Sequence, residues 1–154
     1  MSNLNALMVA VEVASRKRDD ARKALQDTQA AQQAAKDQLA QLEGYARETE
    51  ARWGTQADTV RQPEVMYHHY QFMDRLGHAA SLQGSVVGDH AKRVDAARQA
   101  LLDAELRLAS LRKVLDKRRQ ELSLQQMRRD QKQTDERAAL QYRNALHGAA
   151  SQEY

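Results

Sequence analysis

Residues Gly54–Phe72 read GTQADTVRQPEVMYHHYQF, and this stretch decides how the rest of the chain is read. It holds the only proline, Pro63, and the densest aromatic group, Tyr67, Tyr70 and Phe72. On both sides the sequence is charged, alanine-rich and helical in period. Glycine takes the left-handed capping conformation cheaply, and proline lacks an amide that the first helical turn leaves unbonded anyway. A glycine closing one helix and a proline opening the next is therefore the expected punctuation. The stretch predicts a bend at about 54–64 in a long antiparallel helical hairpin.

Upstream of the bend, small and apolar residues recur at alternating steps of three and four. The positions are Leu4, Leu7, Val11, Ala14, Arg18, Ala21, Leu25, Thr28, Gln32, Ala35, Leu39, Leu42, Ala46, Thr49 and Trp53. That spacing is the seam of a coiled coil, and it places a first helix at about 4–53. Downstream the seam continues through Met73, Leu76, Ala80, Gln83, Val87, His90, Val94, Ala97, Leu101, Ala104, Leu108, Leu111 and Leu115. Folded about the bend, Leu4 meets Leu115, Leu7 meets Leu111, Val11 meets Leu108, Leu25 meets Val94 and Leu42 meets Leu76. Large residues face large ones and small residues face small or branched ones, as a close helix pair requires. The layers with Thr28, Gln32, Gln83 and His90 are polar and are expected to be the loosest. Gly77, Gly84 and Gly88 each cost a helix about 1 kcal/mol against alanine, so a kink or break is expected between 77 and 88.

The second helix, at about 65–146, is longer than its partner. Residues after Leu115 face no segment of the first helix and form an overhang of about 45 Å at 1.5 Å per residue. Its seam decays to Leu122, Gln125, Arg129, Lys132 and Glu136, and apolar residues return at Ala139, Leu140, Tyr142 and Leu146. It reads either as a helix that another protein covers or as a solvated tail. Residues 147–154 are expected to be a disordered tail. The fold class is thus all-α, a two-helix antiparallel coiled-coil hairpin with an overhanging C-terminal helix, forming one domain over 1–154.

Composition agrees with a thin seam. Aromatic residues are 5% and charged residues 29%, too few and too many respectively for a thick core. With no cysteine, there is neither a disulfide framework nor a thiolate nucleophile or ligand. The apolar run at Ala6–Val11 is too short to span a bilayer and lacks a preceding basic segment, so a cytoplasmic location is expected. Charge is uneven: nine basic and three acidic residues lie between Arg107 and Lys132. Such a helix suits an acidic protein surface or nucleic acid. No glycine-rich phosphate loop, GxSxG or HExxH motif is present. His68 and His69 are adjacent and point to different faces of a helix, so they cannot chelate as an i,i+4 pair would. Neither enzyme activity, cofactor nor metal is expected.

Three stretches are more particular: QLAQLEGYARE at Gln38–Glu48, YHHYQFMDRLGHA at Tyr67–Ala79, and RRDQKQTDERA at Arg128–Ala138. Together with the length and the hairpin pattern, they resemble the FliJ family, the small coiled-coil component of the flagellar type III export apparatus. The resemblance implies a shape like the central stalk of a rotary ATPase. It implies insertion of the terminal helices into the hexameric export ATPase, promotion of ring assembly and turnover, contact with the cytoplasmic domain of the export gate protein FlhA, and escort of export chaperones. It also implies a place at the cytoplasmic face of the inner membrane, reached through partners only. Carried onto this chain, the gate-binding patch falls on Gln38, Leu42, Tyr45, Phe72, Leu76 and Ala79. Two further patch positions hold Thr49 and Gln83 and depart from the family pattern. The ATPase would meet Leu4, Leu7, Met8 and Val11 with Arg128, Arg129, Lys132, Leu140 and Tyr142 of the overhang.

The heptad register supplies a physical basis for the patch. With Leu39 and Met73 at position a, Gln38, Tyr45, Phe72 and Ala79 all fall at g. In an antiparallel pair the g positions flank one side, so Tyr45 is expected beside Phe72 and Gln38 beside Ala79. Leu42 and Leu76 fall in the seam, where core packing is the plainer role. Three other readings stay open at this point. They are the equivalent stalk of a virulence secretion system, a basic hairpin that tracks nucleic-acid phosphates, and a homodimeric scaffold whose overhangs pair. Acidic residues interspersed in the overhang, and its lack of stacking aromatics other than Tyr142, weigh against nucleic acid.

Overall fold

The computed structural model describes residues 2–55 and 62–152. The protein is all-α: α1 (Ser2–Thr55) and α2 (Pro63–Gln152) pack against each other as a helical hairpin. The bend expected at 54–64 lies mostly outside the described residues. On its near side α1 continues through Gly54 to Thr55. On its far side the Gln62 carbonyl oxygen accepts from the amides of Val65 at 3.0 Å and Met66 at 3.2 Å. Pro63 therefore opens α2 at the position where a missing amide costs nothing.

The chain divides into two compact units. The larger comprises Ser15–Leu106. Its direction of pairing is read from contacts across the two helices. Arg22 reaches Glu105, Gln83 reaches Ala35, and Phe72 meets Tyr45, so numbers fall along one helix as they rise along the other. That is an antiparallel pair. Val94 and Ala35 are its buried core residues. The other unit joins Met1–Ala14 to Arg107–Tyr154, with Ala14, Leu108 and Leu115 buried.

Every seam position from Leu4 to Trp53 and from Met73 to Leu115 is buried or half-buried. The polar layers are half-buried, and two of their residues find hydrogen bonds: Thr28 Oγ1 donates to the Leu25 carbonyl at 2.9 Å, and Gln83 bonds across to α1. After Leu115 every described residue to Gln152 is exposed. That stretch is supported by contacts within its own helix, such as Gln126 Nε2 to Asp130 Oδ1 at 3.1 Å and Arg118 to Glu121 at 3.5 Å. Each such pair contributes only a few tenths of a kcal/mol, on the order of 0.2–0.5.

Two local features differ from the sequence reading. First, α2 is unbroken through Gly77, Gly84 and Gly88, and none of these glycines has positive φ. Breaking a helix forfeits propagation and requires a new nucleus, which costs more than three glycines within it. Second, α2 continues past Leu146 through His147 and Gly148 to Gln152 instead of giving way to a coil. There the Ser151 hydroxyl donates to the His147 carbonyl at 2.7 Å.

A Cβ built on Gly77 or Gly88 meets nothing within 4 Å. Gly77→Ala and Gly88→Ala are each expected to stabilise the protein by about 0.5–1 kcal/mol, read from urea unfolding followed by circular dichroism. A loss instead would show that the backbone leaves the helix there. Leu108, 2% exposed, should cost about 2–3 kcal/mol when replaced by alanine. Leu124, 52% exposed beyond the paired region, should cost less than about 0.5 kcal/mol in the same assay.

Candidate functional site

In the larger unit, the two helices bring together an aromatic and amide cluster. Tyr45 and Phe72 are 53% and 40% exposed. Their ring centroids lie 6.0 Å apart at an interplanar angle of 77°, an edge-to-face contact. This is the preferred geometry of two quadrupoles, with a positive ring edge on a negative face. The g positions produce it: each ring stands beside the seam, covers its edge and leaves one side in water. Thr49, one turn after Tyr45, turns its hydroxyl back to the Tyr45 carbonyl at 2.9 Å and does not extend the aromatic surface.

Gln38 is exposed on the same side, but its partner differs from the expected neighbour. It is bonded to Gln83, one turn beyond Ala79, through Nε2 of Gln83 and Oε1 of Gln38 at 3.1 Å. The same Nε2 donates to the Ala35 carbonyl oxygen at 3.0 Å. Gln83 can lie across the seam because it is opposite alanine, whose single methyl leaves room for a long side chain. Leu42, Leu76 and Ala79 are half-buried. Leu42 also lines an open groove of about 490 Å³ with Gln38, Gln41, Tyr45 and Gln83. Of the six residues singled out, three are exposed, and Leu42 offers its edge from within the seam.

Two features of this unit escaped the sequence reading. Gln41 completes the groove. His69 lies flat on Trp53, with centroids 3.7 Å apart and planes 3° from parallel. The seam spacing includes Trp53 but does not name the residue across from it. The signal was available in position: His69 precedes the seam residue Met73 by four, so it continues the same helix face.

The other unit holds the terminal segments. Leu4, Leu7 and Val11 are half-buried against α2, with Asn3, Ala6, Leu7, Val114 and Arg118 around an open groove of about 480 Å³. The outward side of this short stretch is also apolar: Met8, Val9 and Val13 are exposed. A helix apolar on nearly all sides is one that expects a second cover, and Val9 and Val13 were legible on that ground. Arg128, Arg129, Lys132, Leu140 and Tyr142 are all exposed on α2, together with Leu122, Met127 and Leu146. Among the described residues no group of three His, Asp or Glu side chains is placed to hold a metal ion, and no helix is long and apolar enough to cross a membrane.

The Tyr45–Phe72 contact yields a direct expectation. A double-mutant cycle with Tyr45→Ala and Phe72→Ala should give a coupling of about 0.5–1 kcal/mol, because the rings touch but remain half in water. A coupling near zero would mean that the two rings do not meet in solution.

Comparison with protein families gives a match over residues 3–147 to the family described as flagellar FliJ protein. No curated protein and no solved structure matches the chain.

Proposed function

The chain belongs to the FliJ family of flagellar proteins, and on that premise we propose that it is a non-catalytic stalk of the flagellar export apparatus. In this reading the terminal unit enters the hexameric export ATPase and promotes its assembly and turnover. The aromatic and amide cluster of the larger unit meets the cytoplasmic domain of the export gate protein, and export chaperones are passed along the same chain. The protein works in the cytoplasm at the inner face of the membrane, held there by partners.

The observation that supports the ATPase contact is the unbroken exposure of α2 after Leu115. A helix without tertiary burial gains little from its own sequence, and this one exposes apolar residues at intervals from Leu122 to Leu146 with basic residues between them. A solvated tail has no use for the apolar set. A ring interior lined by mixed loops would cover it, with the basic side chains steering the approach. Leu4, Leu7 and Val11 would serve mainly by holding α1 to α2, leaving Met8, Val9 and Val13 as the N-terminal contact surface.

Hydrolysis of ATP by the cognate export ATPase, measured as the protein is titrated in, tests this. The full chain is expected to stimulate turnover with saturation well below one chain per ATPase subunit. A chain ending at Leu115 loses none of the buried residues among those described and is expected to leave the rate at its basal value. Equal rates with and without the full chain, under conditions in which the ATPase forms hexamers, would overturn the stalk reading.

A further inference from the structure

Gln83 is one of several polar residues in the seam, and its amide bonds across to α1. An apolar residue there would be the stabilising choice, and a half-buried amide is retained at a cost that only its hydrogen bonds offset. Those bonds are arranged with a direction. Both hydrogens on Nε2 of Gln83 are used, one on the Ala35 carbonyl at 3.0 Å and one on Gln38 Oε1 at 3.1 Å. The Ala35 carbonyl lies inside α1 and has a second lone pair to offer beyond its helical bond. The backbone of α1 thus holds Gln83, and Gln83 holds the oxygen of Gln38.

The consequence falls on the other half of the Gln38 amide. A carboxamide presents acceptor on one branch and donor on the other. With Oε1 engaged by Gln83, the two N–H groups of Gln38 are left for another acceptor, and no described residue supplies one. Gln38 lines the same open groove as Leu42 and Tyr45. We infer that Gln83 is a positioning residue that sets the polarity of this groove. It turns Gln38 into a fixed donor for an acceptor oxygen on the docked partner, beside an apolar group seated on Leu42 and Tyr45. A partner without that oxygen would strand a donor as water leaves the groove, so the arrangement discriminates as well as binds. This rests on the reading that the export gate docks at this face. The acceptor is a carboxylate or a backbone carbonyl of the gate.

The test is calorimetric binding of the purified cytoplasmic domain of the cognate gate protein to the full chain and to full-length variants. Gln83→Leu places an apolar residue in the seam, so its melting temperature is expected to hold or rise while gate affinity falls about three- to tenfold. The same substitution in a Gln38→Ala background is expected to change affinity less than twofold, because the donor it positions is gone. Gln38→Glu keeps an acceptor for Gln83 on an exposed side chain but removes the outward donors, and is expected to lose at least tenfold. That loss shrinks with added salt when the gate oxygen belongs to a carboxylate and is insensitive to salt when it belongs to a backbone carbonyl. Wild-type affinity in Gln83→Leu and Gln38→Glu, with Tyr45→Ala still losing binding, would overturn the inference and leave gate docking intact. No binding by the wild-type chain would overturn both.

Discussion

Everything in this protein depends on one row of side chains between two helices. No second layer lies over it among the described residues. Among the described residues only Ala14, Ala35, Val94, Leu108 and Leu115 are buried, and two of the five are alanine. Alanine adds little transfer free energy by itself but lets backbones approach, so that neighbouring half-buried residues make contact on both sides. A seam of this kind stabilises by length rather than depth, with many positions each contributing a modest amount. It also leaves most of every helix surface in water, where large side chains such as Leu82, Leu102 and Leu106 remain exposed.

That economy explains why the candidate sites sit where they do. A two-helix pair has no cleft in which to gather reactive groups. Its specific surfaces arise along the flanks of the seam, where g positions of both helices line one side, and beyond the last paired layer. Tyr45 and Phe72 illustrate the first case: each packs against the other's ring and still offers a face outward. The stretch after Leu115 illustrates the second, since nothing in its own unit covers it. Gln83 belongs to both categories. It is a seam residue that bonds both inward, to the Ala35 carbonyl, and outward, to Gln38 on the flank. A locally unfavourable choice of this kind is offset within the seam only by the hydrogen bonds it makes.

Much of this is legible in the sequence. The alternation of three and four steps identified the seam from Leu4 to Trp53 and from Met73 to Leu115, because a helix repeats every 3.6 residues and only one spacing keeps a stripe facing its partner. The Tyr45–Phe72 contact followed from the same register. Of the kink or break that single-residue propensity suggested between 77 and 88, the break does not occur, because helix continuity is decided cooperatively by the long flanks. The tail was over-read for the same reason. Gln38 was placed on the correct flank but beside Ala79, when its hydrogen bond goes to Gln83 one turn further. His69 was seen only as a poor metal ligand, although it is the flat partner of Trp53.

The sequence by itself determined the all-α class, the antiparallel pairing, the seam and the point at which pairing stops. These are consequences of period and of where one helix runs out, and both are properties of the chain read locally. Only the tertiary structure decided which polar atoms meet. Whether the Gln83 amide reaches Ala35, Gln38 or water depends on how closely the helices approach at one layer and on which rotamers that gap admits. The same holds for the face His69 presents to Trp53. Residues tens of positions apart settle such choices jointly, within a few ångströms, and periodicity does not encode distances that fine.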